Sequence, residues 1–249
     1  MKRIVRPELL DSLPEEDLRA RRSRKDLRRL NRWMGHVGIL ARELQEGTAR
    51  RMPLRIADLG SGDGYCVGSV LQRLGRNGSI GEIVFVDRNA AIDPVVRCQL
   101  SDLGWNIRTE SMDVLDWVRV QPAGSYDWII ANLFLHHLTE DALRRLFSEL
   151  GSISWNVAGC EPRRSPWTRW ACRIMWLAGY SFVTRHDAAT SVEAGFASNE
   201  LSRLWPGGDG WTFLEREAGL FSHLFVARKA LGGNKEEPAS VREPACTEA

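Results

Sequence analysis

The decapeptide Ile56–Tyr65, IADLGSGDGY, constrains this chain more than any other stretch. An apolar run closes on an acid, and glycines then occupy every second position, Gly60, Gly62 and Gly64. This is the pattern of a turn leaving a first β-strand, where the backbone must pass close to a nucleotide-like ligand. The strand is expected over Leu54–Leu59 and the helix that follows it over Val67–Leu74.

Downstream, short apolar runs alternate with helical periods, as in βαβ units that build a largely parallel sheet. Further strands are expected at Ile83–Val86, ending at Asp87, at Trp105–Met112, ending at Asp113, and at Asp127–Leu133. A helix then starts at Thr139 as N-cap, with Glu140 and Asp141 in its first turn and Leu143, Leu146, Phe147 and Leu150 on one face. Ile153–Ala158 is a fifth strand interrupted by Asn156, and Ser198 is expected to cap a helix through Leu204. Trp211–Ala218 and His223–Arg228, separated by Gly219, read as an antiparallel hairpin that finishes the sheet. The expected fold is therefore α/β, Rossmann-like: a seven-stranded, mostly parallel sheet with helices on both faces and a C-terminal antiparallel hairpin.

At 249 residues the chain has room for one large domain with extensions. Residues 1–50 read as an N-terminal helical extension or lid and 51–230 as the main domain. Within that domain, a substrate-covering insertion is expected over about 162–197, where prolines and three tryptophans loosen the pattern. Residues 231–249, rich in Gly, Glu and Pro, read as a disordered tail. The N-terminus lacks a secretory pattern, and the longest apolar run, Trp170–Val183, carries Arg173 and is too short to span a bilayer, so a cytoplasmic protein is expected. Five scattered cysteines show neither disulfide nor zinc spacing, and no carboxylate cluster marks a metal site; no metal is expected.

Net charge is only +2, yet eight Arg or Lys residues fall between Arg19 and Arg32 against the single acid Asp26. The same segment runs into an amphipathic series, Leu27, Leu30, Met34, Val37, Ala41 and Leu44, so the arginines read as the solvated face of a packed helix. Nucleic-acid binding is the alternative, and no RNA-binding module accompanies it.

The glycine spacing excludes two common ligands. A dinucleotide fingerprint needs its third glycine at position 65, which is Tyr, and no Gly-Lys-Ser/Thr follows to make a Walker loop. IADLGSGDGY resembles instead the first motif of class I S-adenosylmethionine-dependent methyltransferases, and the agreement extends through the order of later acids over roughly residues 54–158. The resemblance implies S-adenosyl-L-methionine as cofactor. It places Asp58, Gly60, Ser61, Gly62 and Gly64 at the methionine end, and Asp87, with Arg88, at the ribose hydroxyls. Asp113 falls to the adenine amino group, flanked by Met112 and Val114, and Asn132 and Leu133 lie near the sulfonium. The N-terminal helix resembles the family's prefix that closes over the cofactor, which could bring Trp33 or Met34 against it.

Methyl transfer from a sulfonium is an in-line displacement, and a hydroxyl acceptor benefits from a base near neutral pH. The candidates are His137, in NLFLHHL after the fourth strand beside His136, and His186, next to Asp187 in RHDAATS. His36 and His223 read as structural or surface residues. NLFL in place of an N/D-P-P-aromatic run disfavours nucleobase amino methylation, and Cys160 lacks the Pro-Cys setting of a cytosine C5 enzyme. The aromatic stretch Pro166–Phe182 favours a small, apolar or phenolic acceptor and O-methylation. The alternatives are an RNA-modifying enzyme using the Arg-rich prefix and a non-catalytic cofactor-binding protein.

Overall fold

The computed structural model describes residues 1–14, 16–47, 53–75 and 81–230. Seven strands form one sheet: β1 (Arg55–Leu59), β2 (Glu82–Asp87), β3 (Asn106–Ser111), β4 (Tyr126–Asn132), β5 (Ser154–Pro162), β6 (Trp211–Ala218) and β7 (Ser222–Lys229), in the order β3-β2-β1-β4-β5-β7-β6. β1 to β5 are parallel; β7 runs antiparallel to both β5 and β6. The order reverses between β1 and β4, and a ligand crevice is expected outside the carboxyl ends of the strands at such a switch point.

Among the described residues ten α-helices accompany the sheet: α1 (Leu9–Ser12), α2 (Leu18–Met34), α3 (His36–Gly47), α4 (Tyr65–Leu74), α5 (Pro94–Asp102), α6 (Val114–Arg119), α7 (Glu140–Ile153), α8 (Pro166–Ile174), α9 (Phe182–Ala194) and α10 (Glu200–Leu204). On one sheet face Leu40, Leu44, Val67, Leu71 and Leu100 of α3, α4 and α5 pack on Ile56, Ile83 and Phe85. On the other, Leu143, Leu146, Phe147 and Leu150 of α7 join Trp117 and Leu201 over Leu59, Val86 and Ile129. The apolar side chains that alternate along β1 and β2 thus serve two cores at once, which is why these strands read as continuous apolar runs.

Three details depart from the sequence reading. The amphipathic prefix is two helices, broken at Gly35, which takes a left-handed conformation (φ 73°) as the C-cap of α2. β5 extends four residues past Ala158, because Asn156 donates its side-chain amide to the Asp127 carbonyl at 2.9 Å and the strand continues beyond it. Ser198 does not cap α10: Asn199 holds the N-cap position, without a side-chain cap bond, and Ser198 adopts φ 52°.

The connection from β5 to α10 is an excursion with a closed base. Phe196 N donates to the Pro162 carbonyl at 3.0 Å, and Arg164 N to the Phe196 carbonyl at 2.8 Å. The approach is close enough that a Cβ on Gly195 would stand 2.2 Å from the Pro162 carbonyl oxygen. Between these points α8 and α9 pack on each other, and α9 packs on α1 and α2. Ser181 caps α9, and Asp26 of α2 holds that start in place, accepting from Ser181 N and Thr184 Oγ1, both at 2.9 Å. The tail assignment for 231–249, with Cys246, lies outside the described residues.

Candidate functional site

At the carboxyl end of β1 the chain turns away from the sheet through Gly60 (φ 67°), Gly62 (φ 54°) and Gly64 (φ 73°). Gly60 N and Ser61 N donate to the Val86 carbonyl at 2.8 and 3.2 Å, which fixes the turn to the adjacent strand. A Cβ on Gly60 would come within 2.2 Å of the Phe134 ring, whereas one on Gly62 would meet nothing within 4 Å. Glycine at 60 therefore serves packing as well as conformation, while Gly62 leaves its backbone open to the crevice. The Asp87 carboxylate accepts from Gly62 N at 3.0 Å and Asn89 N at 2.9 Å, tying the end of β2 to the same turn. Asp58 is buried; burial, with Asp87 and Asp63 nearby, pushes its carboxyl well above the usual range. Ser61 Oγ is buried without a hydrogen-bond partner among the described residues.

α2 lies across this turn. Arg28 binds Asp63 (2.7 Å) and Asp93 (2.7 Å) and sits over the Tyr65 ring, and Arg32 donates to the Tyr65 hydroxyl at 2.9 Å. Arg29 pairs with Asp26 and covers Tyr180. Arginines that read as a solvated face thus fasten the prefix to the domain. Trp33 is largely exposed, against Phe221 at 4.8 Å, and Met34 lies at the crevice wall.

At the end of β4, Asn132 Oδ1 accepts from His36 Nδ1 at 2.7 Å, and His36 Nε2 accepts from Ser222 Oγ at 2.7 Å. His36 is fully buried, and burial drives its pKa down to about 4, so it stays neutral and holds Asn132 in place. Leu133, at φ 54°, is one of two non-glycine residues with positive φ among those described, a strained position at the edge of the site.

The turn after Leu133 is organised by Glu161, which the sequence reading passed over. Its buried carboxylate accepts from Phe134 N (3.0 Å), Leu135 N (2.8 Å) and His136 N (3.4 Å), and from His136 Nδ1 at 2.7 Å. On the opposite side of the ring, Glu8 Oε1 lies 3.5 Å from His136 Nε2. Burial alone would depress His136, but Glu161 and Glu8 overcome it and raise its pKa to about 9. His137 stacks beside it, ring centroids 4.1 Å apart; burial first, and then the charge on His136, push His137 below its ordinary value. The N-terminal segment that brings Glu8 here is itself anchored. Arg3 donates to the carbonyls of Ala194, Leu138 and His136, and Asp187 accepts from Leu9 N and Leu10 N at 2.8 and 2.9 Å.

A single cavity of about 2020 Å³ runs along these features. Its wall takes in Asp58, Gly60, Ser61, Gly62, Asp87, Asn132, Leu133 and His137, and at its outer end Trp167, Trp170 and Leu177. The remaining sequence candidates lie off that wall. Gly64 begins α4. Val114 is buried in the core and Met112 is exposed. Asp113 caps α6 through Leu115 N at 2.8 Å and pairs with Arg88 at 3.0 Å, which together hold its carboxyl below the usual range against the opposing effect of burial. His186 is also off the wall: its ring is exposed on α9, with Nδ1 3.0 Å from Asp187, whose carboxylate already caps α1. His186 lies on α9 off the cavity wall and His137 in the turn after β4 on that wall, so the two are not brought together.

The strand order, the glycine turn at the switch point and the acid closing β2 form the fold of class I S-adenosylmethionine-dependent methyltransferases. Residues 56–153 match the family model of a methyltransferase domain. No curated protein matches the chain. Among solved structures, the plantazolicin methyltransferase BamL, in complex with a triazolic desmethylPZN analogue and SAH, superposes with a TM-score of 0.61 at 12% identity, over 88% of this chain and 92% of its own. An O-methyltransferase family protein from Burkholderia thailandensis gives 0.55 at 20% identity, over 87% and 61%. A Nostoc punctiforme protein proposed as an O-methyltransferase gives 0.54 at 17%, over 78% of this chain and 55% of that one, so the chain spans little more than half of that protein. Among the described residues, no helix is long and apolar enough to cross a membrane.

Proposed function

We propose that this methyltransferase methylates a hydroxyl of a small, apolar or phenolic acceptor, with His137 as general base. The observation that carries the reading is the continuity of the cavity from the glycine turn, past His137, to the tryptophans of α8. The residues at the inner end fit the cofactor. Gly62 presents open backbone, Ser61 Oγ is an unpartnered buried hydroxyl, and Asp87 offers a carboxylate at the crevice. Asp58, Gly60, Ser61 and Gly62 would hold the methionine end, Asp87 the ribose, and Asn132 and Leu133 the region of the sulfonium. Asp113, with Arg88, Met112 and Val114, would border the adenine once Arg88 yields its pairing. When bound, the cofactor supplies an electrophilic methyl group.

The chain's own residues do the rest. Trp167 and Trp170 stack at 4.9 Å and offer a flat apolar wall for an aromatic acceptor. His137, kept neutral by burial and by charged His136, is free to accept a hydroxyl proton. α2, fastened by Arg28, and the N-terminal segment, fastened by Arg3, form the lid that excludes water from the reacting atoms. The likeness to BamL, a plantazolicin methyltransferase, and to the O-methyltransferase family protein of Burkholderia thailandensis supports this acceptor class.

The test is incubation of small-molecule extracts with methyl-labelled cofactor, followed by identification of the labelled product. A labelled phenol ether or ester is expected. Label appearing only in RNA would refute the acceptor class, and saturable cofactor binding without any labelled product would refute catalysis.

A further inference from the structure

Three ligand-type side chains converge where the N-terminal segment meets the turn after β4. Glu8, His136 and His137 each offer one donor atom, and these atoms lie within 4.8 Å of one another. His136 Nε2 is buried and has no hydrogen-bond partner among the described residues, although Glu8 Oε1 is 3.5 Å away. Its other nitrogen is committed to Glu161 at 2.7 Å, the arrangement in which a carboxylate fixes the tautomer and orients an imidazole toward a metal.

We infer that Glu8, His136 and His137 form a binding site for a divalent first-row transition ion, with Glu161 as the outer carboxylate and an open coordination position facing the cavity. Two imidazoles and one carboxylate suit Zn²⁺, Fe²⁺ or Co²⁺ and exclude the oxygen-rich preference of Ca²⁺ and Mg²⁺. Metal–ligand bonds of about 2.0–2.1 Å in a tetrahedron place ligand atoms about 3.3 Å apart. The Glu8–His136 separation already meets that, and His137 needs only a modest advance. Glu8, His136 and His137 all border the cavity, so the fourth position opens onto it.

Glu161 reaches the site from β5 and Glu8 from the N-terminal segment. Glu8 lies outside the matched methyltransferase domain, so coordination would also tie the N-terminal segment to β4. With the ion bound His137 would be a ligand and not a base, and the open position, by acidifying an acceptor hydroxyl, would replace the role His137 has in the metal-free protein; that consequence rests on the function proposed above, and the site itself does not.

The experiment is calorimetric titration of the chelator-stripped full chain with ZnCl₂ at pH 8. One Zn²⁺ per chain is expected. His137→Ala and the isosteric Glu8→Gln should each weaken binding by at least about tenfold, with circular dichroism reporting the fold, while Cys98→Ala, at an exposed surface thiol, should bind as before. Absence of saturable uptake, or unchanged affinity in both site variants, overturns the inference. Titration of the same metal-free protein with S-adenosylhomocysteine tests the cofactor reading separately, so the two cannot fail unnoticed together.

Discussion

Replacing Glu161 by Gln should alter the pH dependence of stability more than its value at any one pH. In the metal-free protein the His136 imidazolium sits between Glu161 at 2.7 Å and Glu8 at 3.5 Å, and its pKa rises from 6.5 to about 9. At about 1.4 kcal/mol for each tenfold change in proton affinity, this corresponds to about 3 kcal/mol, an order of magnitude appropriate to a buried pair. The folded state binds this proton more tightly than the unfolded chain. The contribution is therefore complete below pH 6.5 and is lost as pH rises through about 9. Gln keeps an acceptor for the amides of Phe134 and Leu135 but removes the charge that holds the imidazolium. Urea unfolding of the two proteins at pH 6, 7.5 and 9.5 gives the test. The deficit of the variant should be largest at pH 6, about 2–4 kcal/mol, and should shrink by pH 9.5. A deficit that stays constant across this range would show that His136 is not charged in the folded protein, and the electrostatic account of the turn would fall with it.

Asp87→Ala should weaken binding of S-adenosylhomocysteine by about 1–3 kcal/mol, read by calorimetry; an unchanged dissociation constant would remove Asp87 from the ribose site. His137→Ala should lower kcat and abolish the acid limb of the pH–rate profile, which in the native enzyme lies below pH 6.5 because the base must be unprotonated; if rate and profile are both retained, alignment alone drives transfer. His186→Ala, at an exposed ring off the cavity wall, should leave kcat within about twofold, and a large loss would return it to the list of bases. Gly60→Ala should cost about 2 kcal/mol or more, from positive φ and from the contact its Cβ would make with Phe134, seen as a lower Tm.

The parallel sheet and its hairpin were legible because strands buried on both faces and amphipathic helices leave opposite periodicities, and IADLGSGDGY marks the switch point without help from tertiary structure. Less legible was anything decided by the meeting of distant segments. Asp26 reads as the lone acid in a basic run and in fact binds the N-cap residue of a helix 155 residues away. Glu161 reads as an ordinary acid before a proline, yet it organises the turn that carries His136; the signal was its place at the end of β5, one strand from β4. His186 stands beside Asp187 in sequence and touches it at 3.0 Å, but Asp187 also binds the amides of α1 and the ring lies off the cavity wall. His36 carries no sequence signal at all for its contact with Asn132, since only the break at Gly35 brings α3 under β4.

The pinned neck at Pro162 and Phe196 has a consequence for how such a protein can diversify. Because the end of β5 and the segment before α10 are joined across that neck by backbone bonds, the tryptophan-bearing α8 can change without moving the sheet, while α9 stays held by Asp26 and by its own bonds to α1. Selection for new acceptors can therefore act on the tryptophan-bearing segment while the machinery at the opposite end of the cavity stays as it is.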